Sequence, residues 1–311
     1  MSAKFDLGQT KIDLEQTEFD LGQAAGAAGL TVDHVREVAR KTLAEDLQWG
    51  PDVTTRATIA AGQRGTADVV SRQHGILAGL PVAIAVVQQL AEDHQVEVII
   101  EPAAADGDRL RPGSRVLTIT GPLRTLLTAE RSMLNLLGQV SGVATATAQW
   151  VDAIGEHPCA VRDTRKTVPG LRILQKYAVR CGGGVNHRMG LGDAALIKDN
   201  HVAAAGSIKA AFDAVRTHNP SVPLEIECDT LQQVRDALDA GADLILLDNM
   251  DTDRLRAAVE LASPYRAKLE ASGGLTLADA AAVAATGVDF IAVGALTHSA
   301  PVLDLGFDLR H

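Results

Sequence analysis

The chain has 311 residues, 46% of them hydrophobic, and a formal net charge of −10, enough apolar content for one large core or two moderate ones. An acidic chain with 3% aromatics lacks the basic face and stacking rings of a nucleic-acid binder, so no nucleic-acid partner is expected. No apolar run approaches the ~20 residues of a membrane helix, no secretory signal opens the chain, and Cys159, Cys181 and Cys228 are too few and too scattered for a disulfide framework or a CxxC metal site, which together point to the cytoplasm.

The first 23 residues repeat a seven-residue unit, FDLGQTK, IDLEQTE, FDLGQAA, with apolar positions two apart and so off the coiled-coil spacing. They read as a mobile tail, and residues 1–28 as an N-terminal extension outside the fold. A helix starts at Thr31, carries Val32, Val35, Ala39 and Leu43 on one face, and ends near Leu47 at the turn WGPDVTT. Short β-type runs follow between Thr66 and Thr120 (TADVVS, GILAG, VEVII, RVLTIT), with one helical insert at about 81–92. Residues 29–140 therefore read as a small α+β domain. Two helices are expected at 123–137 and 143–154.

From residue 158 the rhythm becomes strand, polar tip, helix: CAVRDTRK, AALIKDNH, LEIECDT, DLILLDNM, AKLEASGG, DFIAVGAL. The continuous apolar runs suit a parallel sheet buried on both faces. Lys166, Lys198, Glu227, Asp248, Ser272 and Gly294 end successive strands, as the residues around the mouth of a β/α barrel do. Six strands are fewer than eight. The expected fold is thus α/β, an N-terminal α+β sandwich domain followed by an incomplete β/α barrel at 141–297.

Residues 162–188 hold seven lysines and arginines against one carboxylate. Arg165, Lys166, His187, Arg188 and Lys198 would share the mouth, suiting a small ligand with several carboxylates or phosphates. Arg172, Lys176 and Arg180, at i, i+4 and i+8, read as a solvated helix face, and Gly182, Gly183 and Gly184 as a flexible lead-in to NHR. The acids Glu227 and Asp248 on adjacent tips fit Mg²⁺ shared with phosphate oxygens. Ser272, Gly273 and Gly274, and Gly294, Ala295 and Leu296, are small-residue tips before helices and read as phosphate cradles. Arg131 stands on a stripe with Leu127, Leu134 and Gly138, so it must pair internally or reach an anion.

DTRKTVPGLRILQKYAVRCGGGVNHRMGLGDAALIKDNH, EIECD, LLDN, ASGG and VGALTHS resemble quinolinate phosphoribosyltransferase, the decarboxylating nicotinate-nucleotide pyrophosphorylase family, from about Thr31 to the C-terminus. The resemblance implies an enzyme that converts quinolinate and phosphoribosyl pyrophosphate to nicotinate mononucleotide, pyrophosphate and CO₂, with Mg²⁺ as cofactor. It implies that Arg165, His187, Arg188 and Lys198 hold the quinolinate carboxylates, that Thr164 lines the site, and that Lys166 lies between quinolinate and the sugar. Glu227 and Asp248 would hold ribose hydroxyls and Mg²⁺, directly or through water, and the two small-residue tips the 5′-phosphate. It further implies a homodimer in which Arg131 completes the neighbouring subunit's site, and a C-terminal segment, 298–311, packed on the sandwich domain. A sister branch linked to molybdenum transport would not need Arg165, His187 and Arg188 together. A non-catalytic anion-binding protein would bind without turnover.

Overall fold

The computed structural model describes residues 19–310; the first two copies of the repeat lie outside them. The third copy differs from the expected mobile extension. Helix α1 (Leu21–Ala27) is capped by the Asp20 carboxylate, which accepts from the Gln23 N–H at 3.0 Å, and it buries Leu21 and Ala25. The Phe19 carbonyl accepts from Gln88 Nε2 at 3.4 Å. Helix α2 (Val32–Leu47) is capped by Thr31 as its sequence predicts, and the turn after it contains a short helix, α3 (Val53–Thr58), capped by Asp52.

Strands β1 (Arg64–Ser71) and β2 (Gly75–Ile76), helix α4 (Leu80–His94), and strands β3 (Ile99–Pro102), β4 (Arg109–Leu110) and β5 (Arg115–Pro122) complete the first α+β unit. Where two helices are expected there is one, α5 (Leu123–Ile154), running through Gly138 and Gly142. These glycines do not break it because the C-terminal segment lies against them. A Cβ on Gly142 would stand 2.1 Å from the Pro301 carbonyl oxygen, and one on Gly138 2.8 Å from that of Leu303. The chain end then forms a strand at Leu305–Leu309, antiparallel to β1, giving the sheet order Leu305–Leu309, β1, β5, β3. Arg310 closes it with a two-pronged contact to Asp68 at 2.7 and 2.8 Å.

The second unit is six parallel strands. After β6 (Ala160–Arg162) and α6 (Arg172–Cys181) come β7 (Ala195–Ile197), α7 (Asp199–Ala205), α8 (Ile208–His218), β8 (Leu224–Cys228), α9 (Leu231–Ala240), β9 (Leu244–Asp248), α10 (Thr252–Ala262), β10 (Lys268–Ser272), α11 (Ala280–Ala284), β11 (Phe290–Ala292) and α12 (Ala295–His298). The terminal strand at Leu305–Leu309 is β12. The order β6-β11-β10-β9-β8-β7 is that of a barrel left open between β6 and β7. The sheet is curled: the Arg162 guanidinium on β6 reaches Glu270 on β10, two strands away, across the concave side. Alternation sends one residue set inward, so Glu225 and Glu227 share a face, as do Glu270 and Ser272.

One apolar core lies between α2, α4, α5 and the antiparallel sheet, and it takes in Leu174, Tyr177, Ala178 and Val179 of α6. The other fills the space between the parallel strands and their helices. The Tyr177 hydroxyl donates to Asp106 at 2.6 Å, and Asp106 also accepts from the Gly79 and Leu80 N–H groups that begin α4. Among the described residues no helix is long and apolar enough to cross a membrane.

Candidate active site

The inward set at the C-terminal ends of the parallel strands encloses a cavity of about 370 Å³, lined by Thr164, Arg165, Lys166, His187, Arg188, Leu196, Lys198, Glu227, Leu246, Asp248, Glu270, Ser272 and Ala292. A second cavity of about 210 Å³ shares Thr164, Lys166 and Ser272 with it and continues over Gly273, Gly274, Gly294, Ala295 and His298. All six strand tips therefore meet around one mouth. Of the site residues expected from the sequence, only Arg131 and Leu296 line neither cavity.

The cationic end is built on a buried hub. Asp163, following β6, accepts from Lys176 Nζ, from Asn186 Nδ2 at 2.5 Å and from the His187 N–H at 2.9 Å, and Lys176 also donates to the His187 carbonyl at 2.9 Å. This corrects the solvated-face reading for Lys176, whereas Arg172 is half-buried and Arg180 remains exposed. Lys176 is wholly buried, and burial pulls its ammonium below its usual pKa while Asp163 pulls it back up. Arg172 donates to Thr167 Oγ1 at 3.0 Å and the Met189 carbonyl at 3.2 Å, and Arg180 to Asn186 Oδ1 at 2.8 Å and the Ala28 carbonyl at 2.9 Å. All three are tethers for the segments that carry the site. The glycine lead-in is also close-packed: a Cβ on Gly182 would lie 2.4 Å from the Ala144 carbonyl oxygen and one on Gly184 2.8 Å from Thr147 Cγ2.

On this base Arg165 and Arg188 line the cavity with unsatisfied groups: the Nε atoms of both are buried and have no hydrogen-bond partner among the described residues. Burial, and then the charge of Arg165, push the Arg188 guanidinium below its usual pKa. Two like charges held side by side with idle donors form a receptor for anions. The backbone of Lys166 is clamped, its N–H donating to Thr164 Oγ1 at 3.0 Å and its carbonyl accepting from Thr297 Oγ1 at 2.8 Å.

Lys198 forms an ion pair with Glu227 across adjacent strand tips. Asp248, on the next tip, is pushed above the usual carboxylate range by burial and by repulsion from Glu227 and Asp229. In the cradle, Gly273 has φ +92° and a Cβ there would collide with Asn249 Oδ1 at 2.4 Å; a Cβ on Gly294 would meet Lys166 Cδ at 3.0 Å. Leu296 turns its side chain into the barrel core. Arg131, expected on an apolar stripe, is 68% exposed, beside exposed Asn135, and its only acidic neighbour among the described residues is Glu130 at 3.9 Å.

Three contributors escaped the sequence reading. His298 lines the smaller cavity beside the glycine tips, and Glu225 and Glu270 form a floor under the cations. The alternation that put Glu227 at the mouth puts Glu225 one layer below it, so that signal was present.

Two family models match end to end, the N-terminal domain of quinolinate phosphoribosyl transferase over residues 52–141 and its C-terminal domain over residues 143–308. A nicotinate-nucleotide pyrophosphorylase [carboxylating] of Mycobacterium leprae is 50% identical over 282 residues, 89% of this chain and 98% of that one. A quinolinate phosphoribosyltransferase [decarboxylating] of Nicotiana tabacum is 36% identical over 88% of this chain and 82% of its own. The structure of the nicotinate-nucleotide pyrophosphorylase from Francisella tularensis superimposes with TM-score 0.85 at 37% identity, covering 90% of this chain and 98% of that one. A cavity of idle guanidinium donors beside paired acids and a glycine cradle is thus carried on a sequence and a fold that agree, and the chain belongs to the quinolinate phosphoribosyltransferase family.

Proposed function

We propose that this enzyme transfers the phosphoribosyl group of phosphoribosyl pyrophosphate to quinolinate with loss of CO₂, giving nicotinate mononucleotide and pyrophosphate for NAD biosynthesis in the cytoplasm. The observation that carries the reading is the pair of buried, unpartnered Nε–H groups of Arg165 and Arg188 in one cavity. A vicinal dicarboxylate supplies acceptors for both, and Lys198 adds a point charge at the rim. Thr164 holds the Lys166 backbone so that the ammonium lies between the carboxylate end and the sugar end. The glycine tips at Ser272–Gly274 and Gly294–Ala295, with His298, take the 5′-phosphate.

Chemically, the ring nitrogen of quinolinate attacks the anomeric carbon as pyrophosphate departs, and positive charge builds on the ribose. Glu227 and Asp248, which would contact the ribose hydroxyls, favour that charge. The same two acids suit Mg²⁺. Burial first, and then the charges of Glu227 and Asp229, hold Asp248 above the usual carboxylate range, and a divalent cation would offset the second of these causes. When bound, Mg²⁺ neutralises the leaving pyrophosphate. After transfer the ring nitrogen is cationic, so the C2–carboxylate bond can break, its electron pair staying on C2 until a proton arrives. The arginines hold the ring flat against the sugar while this happens.

The exposed Arg131 belongs, in this reading, to a homodimer in which it reaches the partner's cavity. The direct test is the loss of quinolinate absorbance on mixing enzyme, phosphoribosyl pyrophosphate and Mg²⁺. Loss that needs all three supports the reading; an enzyme that binds quinolinate without consuming it would make the chain an anion-binding relative.

A further inference from the structure

Beneath the two arginines the barrel holds a layer of buried charge that the chemistry above does not use. His187 is 8% exposed, Glu225 3% and Glu270 0%. The backbone N–H of Arg188 donates to His187 Nδ1 at 2.7 Å. A backbone amide can only donate, so Nδ1 is the acceptor and the ring proton must sit on Nε2. Nε2–H in turn points at Glu225 Oε2, 2.6 Å away, with Glu270 Oε1 at 3.8 Å. Glu270 is held from the other side by Arg162. Both ring nitrogens of His187 are therefore spent inside the protein, which leaves no ring N–H to reach a ligand carboxylate.

His187, Glu225 and Glu270 also place ligand-type atoms within 4.8 Å of one another, as a metal site would. The tautomer argues against a metal: with Nδ1 accepting from a backbone amide, Nε2 has no lone pair to give. Its Nε2–H and the Arg162 guanidinium face the carboxylates as donors instead.

We infer that Glu225, backed by Glu270, is a positioning residue for the quinolinate end of the site, fixing His187 in its Nε2–H tautomer so that Nδ1 anchors the Arg188 backbone and aims the Arg188 guanidinium. This rests on the quinolinate reading above and deepens it. The chain of contacts is short and runs in one direction. Glu225 accepts from the ring, the ring accepts from Arg188, and Arg188 is further held by donating from Nη1 to the Ala194 carbonyl at 3.0 Å. A glutamine at 225 keeps the acceptor oxygen, whereas a leucine keeps the bulk and loses the acceptor.

The test has two arms. In steady-state kinetics, Glu225→Leu raises the KM for quinolinate about tenfold or more, the loss of one charge-assisted contact, while the KM for phosphoribosyl pyrophosphate stays within about twofold. Glu225→Gln keeps the quinolinate KM within about threefold. A folded Glu225→Leu protein with an unchanged quinolinate KM, or one that weakens both substrates equally, overturns the inference. In the second arm, ¹⁵N spectra of the wild-type enzyme, with the His187 signals assigned against His187→Gln, show a protonated Nε2 and a bare Nδ1. A bare Nε2, or His187 signals that shift stoichiometrically with added Zn²⁺, overturns it in favour of a metal ligand. The spectra do not depend on turnover, so an enzyme inactive towards quinolinate would sink the functional reading and leave the tautomer assignment standing.

Discussion

At Glu227 one carboxylate faces two demands. It pairs with Lys198, whose charge the proposed quinolinate end would need, and it stands beside Asp248, where the ribose and Mg²⁺ would bind. Removing its charge therefore has opposite effects on the two halves of the site: Glu227→Gln should bind quinolinate alone more tightly, by about two- to tenfold, because Lys198 is released, while turnover falls by about a hundredfold or more. Titration calorimetry without phosphoribosyl pyrophosphate reads the first effect, and weaker binding would contradict it. Asp248 carries strain of a related kind. Its folded pKa lies above its unfolded one, so the ionised form is disfavoured by folding. The penalty is absent below the ordinary carboxylate range and complete above the raised value, so it is present at neutral pH. Asp248→Asn should accordingly raise the apo-enzyme Tm by about 1–2 °C while abolishing activity, and the gain in Tm should vanish in acid. At Lys176 the effect is on stability: Lys176→Met strands the buried Asp163 charge and should cost ~3–5 kcal/mol in a urea titration. That lysine also marks a limit of sequence reading. Its spacing with Arg172 and Arg180 fits an exposed face, and only the fold reveals that Asp163, thirteen residues away, turns back to meet it.

Helix α5 makes the same point for an element. GQVSG reads as a break because glycine disfavours helix interiors, yet Gly138 and Gly142 continue the helix and are required by Leu303 and Pro301, far along the chain in the C-terminal segment. Gly142→Ala should destabilise the protein by about 1–3 kcal/mol through overpacking, and should speed proteolysis of the C-terminal strand it displaces. Gly26→Ala in α1 is the contrasting case. Among the described residues no atom lies within 4 Å of the added methyl group, the backbone is helical, and the substitution should stabilise by about 0.5–1 kcal/mol, measured in the same titration. Elements with a local signal were legible: the start of α2 at its Thr31 cap, and the apolar runs of β8 and β9, appear where the sequence puts them. The α1 helix was hidden because its sequence repeats that of two segments before it.

For the molecule as a whole, the alternation of apolar runs and polar tips was enough to indicate a parallel barrel short of two strands, and the tips it nominated converge. What periodicity could not supply was which residues far apart in the chain touch, namely Lys198 with Glu227, His187 with Glu225 and Arg162 with Glu270. The solvent-facing Arg131 bears on assembly. If it serves the partner's cavity, Arg131→Ala and Lys166→Ala are each nearly inactive, while their exchanged mixture regains roughly a quarter of wild-type activity, since random exchange makes about half the dimers mixed, each with one of its two sites intact. A mixture as inactive as its parents, despite verified exchange, would put Arg131 to work within its own chain. The central claim, that one cavity couples ribosyl transfer to decarboxylation, is tested most directly with quinolinate carrying ¹³C in its C2 carboxylate. ¹³CO₂ should appear only when phosphoribosyl pyrophosphate and a divalent cation are present, in equal amount to the nicotinate mononucleotide formed. Labelled CO₂ without the ribosyl donor, or a ribosylated product that keeps both carboxylates, would contradict it.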